Sequence, residues 1–263
     1  MRTLLALILI AAFAASPVRA DSITLVADSW CPYNCEEGAD APGYLIDIAR
    51  EALSFSGHTL TYQEMSWTRA IYQVQRGAAH GLVGAVPNEV PDFIFPKLAL
   101  GLVPNAFFTL TESAWKPTDK DAFSSVRLGV IRDYDYGSRL QAWIDQHINT
   151  ILVQEAQGNN ALETNLRKLV HGRIDVVVDQ KASVLAKARE MGIADQIRLA
   201  CEDPVKPEED SLYIAFSPVL ERSRQYADDL DKGVRMLREQ GRLQIILKAY
   251  GLEDWEPSVG GTP

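Results

Sequence analysis

Ile23-Thr24-Leu25-Val26-Ala27 mixes apolar and polar positions at the two-residue period of a strand with a buried face. From Tyr44 onward the period lengthens: Leu45, Ile48, Ala49, Ala52 and Leu53 recur at helical spacing up to residue 55. Gly57 stands just past the end, where a left-handed residue closes a helix. A strand is predicted next at 58–63, then a helix at 68–76 stopped by Gly77, then a strand at 82–86. The order β-α-β-α-β predicts a parallel sheet flanked by helices.

The same order returns further on. Strands are predicted at 126–131, 151–153, 174–178 and 196–199, separated by helices at 138–147, 161–170 and 182–191. The halves share little sequence, so the repeat is one of topology. Two extended runs join them: Phe107-Phe108-Thr109-Leu110, after a Pro-rich stretch, and Leu212-Tyr213-Ile214-Ala215-Phe216, after a polar loop. Helices at 220–240 and 243–250 follow, with Gly241 between them. A chain that crosses twice inserts one lobe (110–212) into another (21–109 with 213–255). Two crossings make a hinge, and the cleft beyond the carboxyl ends of the strands is the expected ligand site. Residues 256–263 read as a flexible tail.

The start of the chain carries an address. Arg2 is followed by an uncharged apolar run at 4–15 and by Val18-Arg19-Ala20, the layout of a secretory signal peptide cleaved after Ala20. The run is shorter than the roughly 20 residues a membrane span requires. Export to the periplasm is therefore expected, and no cysteine follows the cleavage site to carry a lipid anchor. A net charge of −9 opposes phosphate backbones and excludes nucleic acid as a partner, while 47% hydrophobic residues supply a proper core. Export also permits a disulfide. Of Cys31, Cys35 and Cys201, the first two share one short Pro-containing loop and are the favoured pair. Closing so short a loop stabilises by roughly 2 kcal/mol and stiffens it. Free thiols remain an alternative, as does redox or metal chemistry, although the spacing is not Cys-x-x-Cys.

Several segments resemble family 3 of the periplasmic solute-binding proteins. They are Trp30-Cys31-Pro32-Tyr33 after the first strand, Gly43-Tyr44-Leu45-Ile46-Asp47-Ile48-Ala49 opening the first helix, Trp67-Thr68-Arg69-Ala70, Gly81-Leu82-Val83-Gly84-Ala85, Arg127-Leu128-Gly129-Val130 and Gly172-Arg173-Ile174-Asp175. The resemblance implies the α/β, two-lobe type II periplasmic-binding fold, each lobe a mostly parallel sheet flanked by helices, joined by a two-segment hinge. It implies a monomer that captures a small polar or aromatic solute and delivers it to an inner-membrane ABC permease, or reports it to a membrane receptor. Amino-acid binders of this kind carry an Arg after the third strand that clamps the ligand carboxylate. The matching stretch, Val86-Pro87-Asn88-Glu89-Val90-Pro91-Asp92, holds none, so an ordinary α-amino acid is disfavoured and a cationic or uncharged solute favoured. Asp179 stands one place before the position usual for the ligand's amino group, which Gln180 fills.

The candidate ligand residues are Trp30, Tyr33, Trp67, Arg69, Gly84, Ala85, Tyr134, Tyr136 and Asp179. The aromatics offer flat faces and polar edges, Trp67 can stack or pair with Arg69, and Gly84-Ala85 allow close approach to the backbone. Core packing is the competing role for Trp30, Tyr33 and Gly84-Ala85. Tyr134 and Tyr136 flank a helix start whose free N–H groups suit a polar group, unless Asp133 or Asp135 caps that helix. His58, His80, His147 and His171 show no metal-ligand spacing, and no hydrolase, zinc-protease or phosphate-loop motif occurs. Neither cofactor nor metal is implied, and no enzymatic activity is expected. The alternative is a dehydratase on the same fold, similar to the cyclohexadienyl dehydratases, whose dianionic substrate would want more positive charge than Arg69 and Arg132 offer.

Overall fold

A computed structural model describes residues 20–117, 122–158 and 160–255. The predicted leader, apart from Ala20, and the predicted tail lie outside the described residues. In chain order the elements are β1 (Ser22–Ala27), α1 (Tyr44–Ser54), β2 (Thr59–Glu64), α2 (Trp67–Gln75), β3 (Gly81–Ala85), β4 (Gly101–Leu102) and β5 (Asn105–Leu110). After a short 3-10 turn come β6 (Leu128–Ile131), α3 (Gly137–His147), β7 (Val153–Ala156), α4 (Ala161–Val170), β8 (Val176–Gln180), α5 (Lys181–Glu190) and β9 (Ile197–Glu202). The chain closes with α6 (Pro207–Asp210), β10 (Ser211–Phe216), α7 (Ser223–Glu239) and α8 (Arg242–Ala249).

Two mixed sheets result, ordered β2-β1-β3-β10-β4 and β7-β6-β8-β5-β9. In each, three strands run parallel and the fourth runs against them. Those fourth strands, β5 and β10, are the ones that carry the chain into the second sheet and back to the first. All of β5 lies in the second sheet, paired with β8 from Asn105 to Phe108, so the chain changes sheet between Leu102 and Asn105. The expected boundary at 109/110 therefore falls too late, because the apolar run was read as a connector when its residues complete a ladder. The expected limit at 212/213 is likewise late, since Ser211 and Leu212 already pair with β4. The two connecting segments lie side by side: the Val103 N–H donates to the Asp210 carbonyl at 2.9 Å and the Asp203 N–H to the Asn105 carbonyl at 2.8 Å.

The strand periods sort the core into layers. Ile23, Leu25 and Ala27 face a cluster with Leu45, Ile48 and Leu53 of α1 and Leu230, Val234 and Leu237 of α7. Val26 points the other way, against Ala70 and Val74 of α2. In the second lobe Val176 and Val178 meet Leu140 and Ile144 of α3, whereas Val177 meets Leu166 and Leu169 of α4. Strand β7 begins at Val153, not at 151 as the pattern predicts, because Ile151 is 72% exposed in the preceding turn. A disulfide joins Cys31 to Cys35, and Cys201 is a free thiol.

Helices α1 and α7 touch through Gly233, where a Cβ would run into the Ala52 carbonyl and Cα. Backbone cannot withdraw as a side chain can, so Gly233→Ala should destabilise the first lobe by about 1–3 kcal/mol or more. Chemical denaturation of the two proteins checks this, and an unchanged midpoint would refute the close contact.

Candidate functional site

Strands β1 and β3 of the first lobe and β6 and β8 of the second all end at the seam between the lobes. That is where an open α/β sheet presents its ligand site. The residues just past those ends enclose a small chamber of about 60 Å³, lined by Asp28, Trp30, Trp67, Gly84, Val86 and Glu89 from one lobe. Asn105, Tyr134, Asp135, Tyr136, Gly137 and Gln180 line it from the other, with Val103, Asp210 and Leu212 from the connecting segments. It adjoins an outer groove of about 810 Å³ that shares Asp28, Trp30, Trp67 and Tyr134 and adds Asp179. Since one water occupies roughly 10–15 Å³ of such space, the chamber has room for a few waters or the compact part of a solute.

Among the described residues, three hydrogen bonds span the seam. Tyr134 Oη donates to Asp28 Oδ2 at 3.3 Å, the Asp135 N–H to Glu89 Oε1 at 3.3 Å, and Thr68 Oγ1 to Asp133 Oδ2 at 3.4 Å. All three are at or beyond the long end of hydrogen-bond geometry, so the lobes are held loosely.

The chamber is acidic. Asp28, Glu89, Asp135 and Asp210 line it, and among the described residues no Lys, Arg or His does. Burial pushes the Glu89 carboxyl up to about 8, with the Asp135 and Asp28 charges adding to the effect. Burial also raises Asp28 to about 6, against the hydrogen bond from Tyr134. Asp179 rises to about 7 for the same reason, opposed by the Gln180 N–H and the Trp30 indole. Asp179 is 1% exposed; its Oδ1 accepts the Gln180 N–H at 2.7 Å, while its Oδ2 has no partner. The Trp30 indole N–H is buried and unpartnered too, near enough to act on Asp179 but outside hydrogen-bond geometry. Gln180 Oε1 is a third unpartnered buried atom, on a residue 7% exposed that lines the chamber.

The expected residues divide. Trp30, Trp67, Gly84, Tyr134 and Tyr136 meet at the chamber, and Asp179 at the groove. Gly84, at φ 81°, lets the Trp30 ring lie over β3, where a Cβ would press on that ring at 3.4 Å. Tyr136 contributes ring only, because its hydroxyl accepts the Ile131 N–H at 2.6 Å. Tyr33 is buried between Trp30, at a ring distance of 4.1 Å, and Tyr44, at 5.4 Å, and lies in the first lobe's core. Ala85 is also core, packed with Val26 and Phe93. Arg69 is exposed on α2 and lines neither space. The start of α3 is not open to a ligand anion, since the Gly137 N–H donates to Asp135 Oδ1 at 2.8 Å.

Asp28, Asn105, Asp210 and Gln180 were not among the expected ligand residues. Asp28 follows the first strand directly and Gln180 ends another, so position at a strand's carboxyl end was the signal available for both. Asp210 belongs to one connecting segment and Asn105 opens β5 just after the other, and no local period reveals the path of either. The histidines serve the framework: His58 Nε2 lies 3.1 Å from Asp229, His80 Nδ1 accepts the Thr24 N–H, and His147 and His171 each contact a carbonyl one helical turn back.

No protein-family model and no curated protein matches the sequence. Solved structures do share its fold. One, from work on glutathione import in Gram-positive bacteria via GshT and the cystine ABC importer TcyBC of Streptococcus mutans, aligns with a TM-score of 0.72 at 18% identity, covering 88% of this chain and 95% of that one. A histidine kinase sensor domain with similarity to periplasmic binding proteins aligns at 0.70 and 16% identity, covering 89% and 98%. The arginine-, lysine-, histidine-binding protein ArtJ of Geobacillus stearothermophilus aligns at 0.68 and 12%, covering 90% and 97%. The chain thus has the two-lobe type II periplasmic-binding fold.

The raised carboxyls link stability to pH. In the unfolded chain they ionise near pH 4. Above that, the folded protein retains protons the unfolded chain has lost, so their contribution to stability declines as pH rises towards about 6 for Asp28 and about 8 for Glu89. Glu89→Gln should therefore leave the melting midpoint unchanged at pH 4 and raise it by several degrees at pH 8. That corresponds to about 1–3 kcal/mol after allowance for solvent reaching the groove. Melting curves across that range test the sign; a gain that is the same at both pH values would refute it.

Proposed function

We propose that the protein is a periplasmic solute-binding protein that closes its two lobes on a small molecule and hands it to an ABC permease. The carrying observation is the chamber itself: it is built from strand ends of both lobes, it holds buried polar atoms without partners, and the seam around it is crossed, among the described residues, by three long hydrogen bonds. A solute that satisfied Asp179, Gln180 and Trp30 together would make contacts available only in the closed form, and closure would follow from that difference in affinity. Trp30, Trp67, Gly84, Tyr134, Tyr136 and Asp179 are the ligand residues in this reading, and the protein acts as a monomer. Export rests on the apolar run and small residues at 1–20. Among the described residues no helix is long and apolar enough to cross a membrane. An acidic chamber without Lys, Arg or His in its lining gives a dianionic dehydratase substrate nothing to pair with. The sensor-domain neighbour keeps one variant in play, in which the closed form docks on a membrane receptor.

A thermal-shift screen against small polar metabolites tests solute capture. At a hundredfold excess over Kd, a ligand should raise the midpoint by about 5–10 °C. Asp179→Asn preserves the acceptor for the Gln180 N–H, so the variant should fold yet lose at least half of that shift. A full shift in the variant would remove Asp179 from the site.

A further inference from the structure

The polar atoms of the chamber are mismatched. Three of its donors are already used: the Asp135 N–H on Glu89 at 3.3 Å, the Tyr134 hydroxyl on Asp28 at 3.3 Å, and the Gly137 N–H on Asp135 at 2.8 Å. The Trp30 N–H and the Gln180 amide remain, both neutral groups. Unpartnered acceptors are present too: the Gln180 oxygen, 7% exposed, in the chamber, and an Asp179 oxygen, 1% exposed, in the adjoining groove. A ligand carboxylate needs at least two converging donors, usually from one guanidinium, and the lining supplies no basic side chain. At the mouth, Arg132 is engaged by Glu155 and Gln157, and Lys187 by Glu190.

A cation beside carboxyls that burial holds protonated would favour their ionised form, and the aromatic rings of Trp30, Trp67 and Tyr134 line the same space. Such rings attract a cation that has shed its water, by about 0.5–2 kcal/mol each. Resting on the solute-capture reading above, we propose that the chamber selects a small organic cation carrying no carboxylate, an amine or quaternary ammonium ion, neutralised by Asp28 and Glu89 and flanked by those rings. An uncharged ligand would gain nothing from the ionised form of these carboxyl groups, and an amino acid would add a carboxylate with no clamp to hold it.

Two matched pairs of probes separate the parts of this inference. Choline and its uncharged isostere 3,3-dimethylbutan-1-ol differ in charge, and agmatine and L-arginine differ in the carboxylate. Calorimetric titration of the purified protein should show choline or agmatine binding, and each cation that binds should do so at least tenfold more tightly than its matched partner. In the double variant Asp28→Asn, Glu89→Gln, the ratio within the choline pair should fall towards one; the ratio is read because it survives a general loss of affinity. Equal binding of choline and its isostere would overturn the requirement for charge, and L-arginine binding as tightly as agmatine would overturn the exclusion of carboxylates. Should neither cation bind, the inference fails. A broad solute screen that then finds an uncharged or anionic ligand leaves solute capture standing, whereas one that finds none removes both.

Discussion

Carboxyl groups buried at an interlobe seam without a basic partner are the constraint from which the behaviour of this molecule follows. Asp179 is buried and Asp28 and Glu89 are half-buried, and burial drives each carboxyl towards its protonated form. Evolution of stability alone would replace them with apolar or amide side chains. Asp28 and Glu89 share the chamber with the rings of Trp30, Trp67 and Tyr134, and Asp179 lines the adjoining groove.

The scaffold suits that task because of how the chain passes between its sheets. Strands β5 and β10 occupy equivalent places, each antiparallel to the neighbour that ends at the cleft. The segments that precede them are hydrogen-bonded to each other through Val103 and Asp210 and through Asn105 and Asp203. Val103, Asn105 and Asp210 also line the chamber. The connecting segments and the chamber are thus adjacent in space. Turning one lobe against the other would need only small rotations in a few residues at element ends.

The Trp30 loop illustrates how one segment serves both core and site. A disulfide joins Cys31 to Cys35, Tyr33 goes inward to stack on Trp30 with its other side tilted against Tyr44, and Trp30 is left at the seam. Gly84 supplies the flat floor beneath it. From sequence, Trp30 and Tyr33 are equivalent aromatics in one short loop. Which of them meets a ligand depends on packing against α1, and no local pattern encodes that.

Local periodicity was sufficient for the architecture. The alternation in 23–27, the helical spacing in 44–55 and their counterparts in the second half predicted two parallel αβ lobes and a double crossing, because burial of one face of each strand or helix imposes its period on the residues themselves. Periodicity failed where an element's role is set by its neighbours. Phe107-Phe108-Thr109-Leu110 read as a bridge between lobes but is ladder, and Glu202 to Asp210 read as loop but contains α6. The absence of a clamping Arg in 86–92 and the acidity of that stretch were visible in the chain. That Glu89 would meet Asp28 and Asp135 across the seam, that Arg69 would stand outside it, and that the α3 start would be closed by Asp135 were decided only by folding. Charge and hydrogen-bond partnership between residues distant in sequence are properties of the assembled lobes, since they depend on distances that exist only once both sheets are in place.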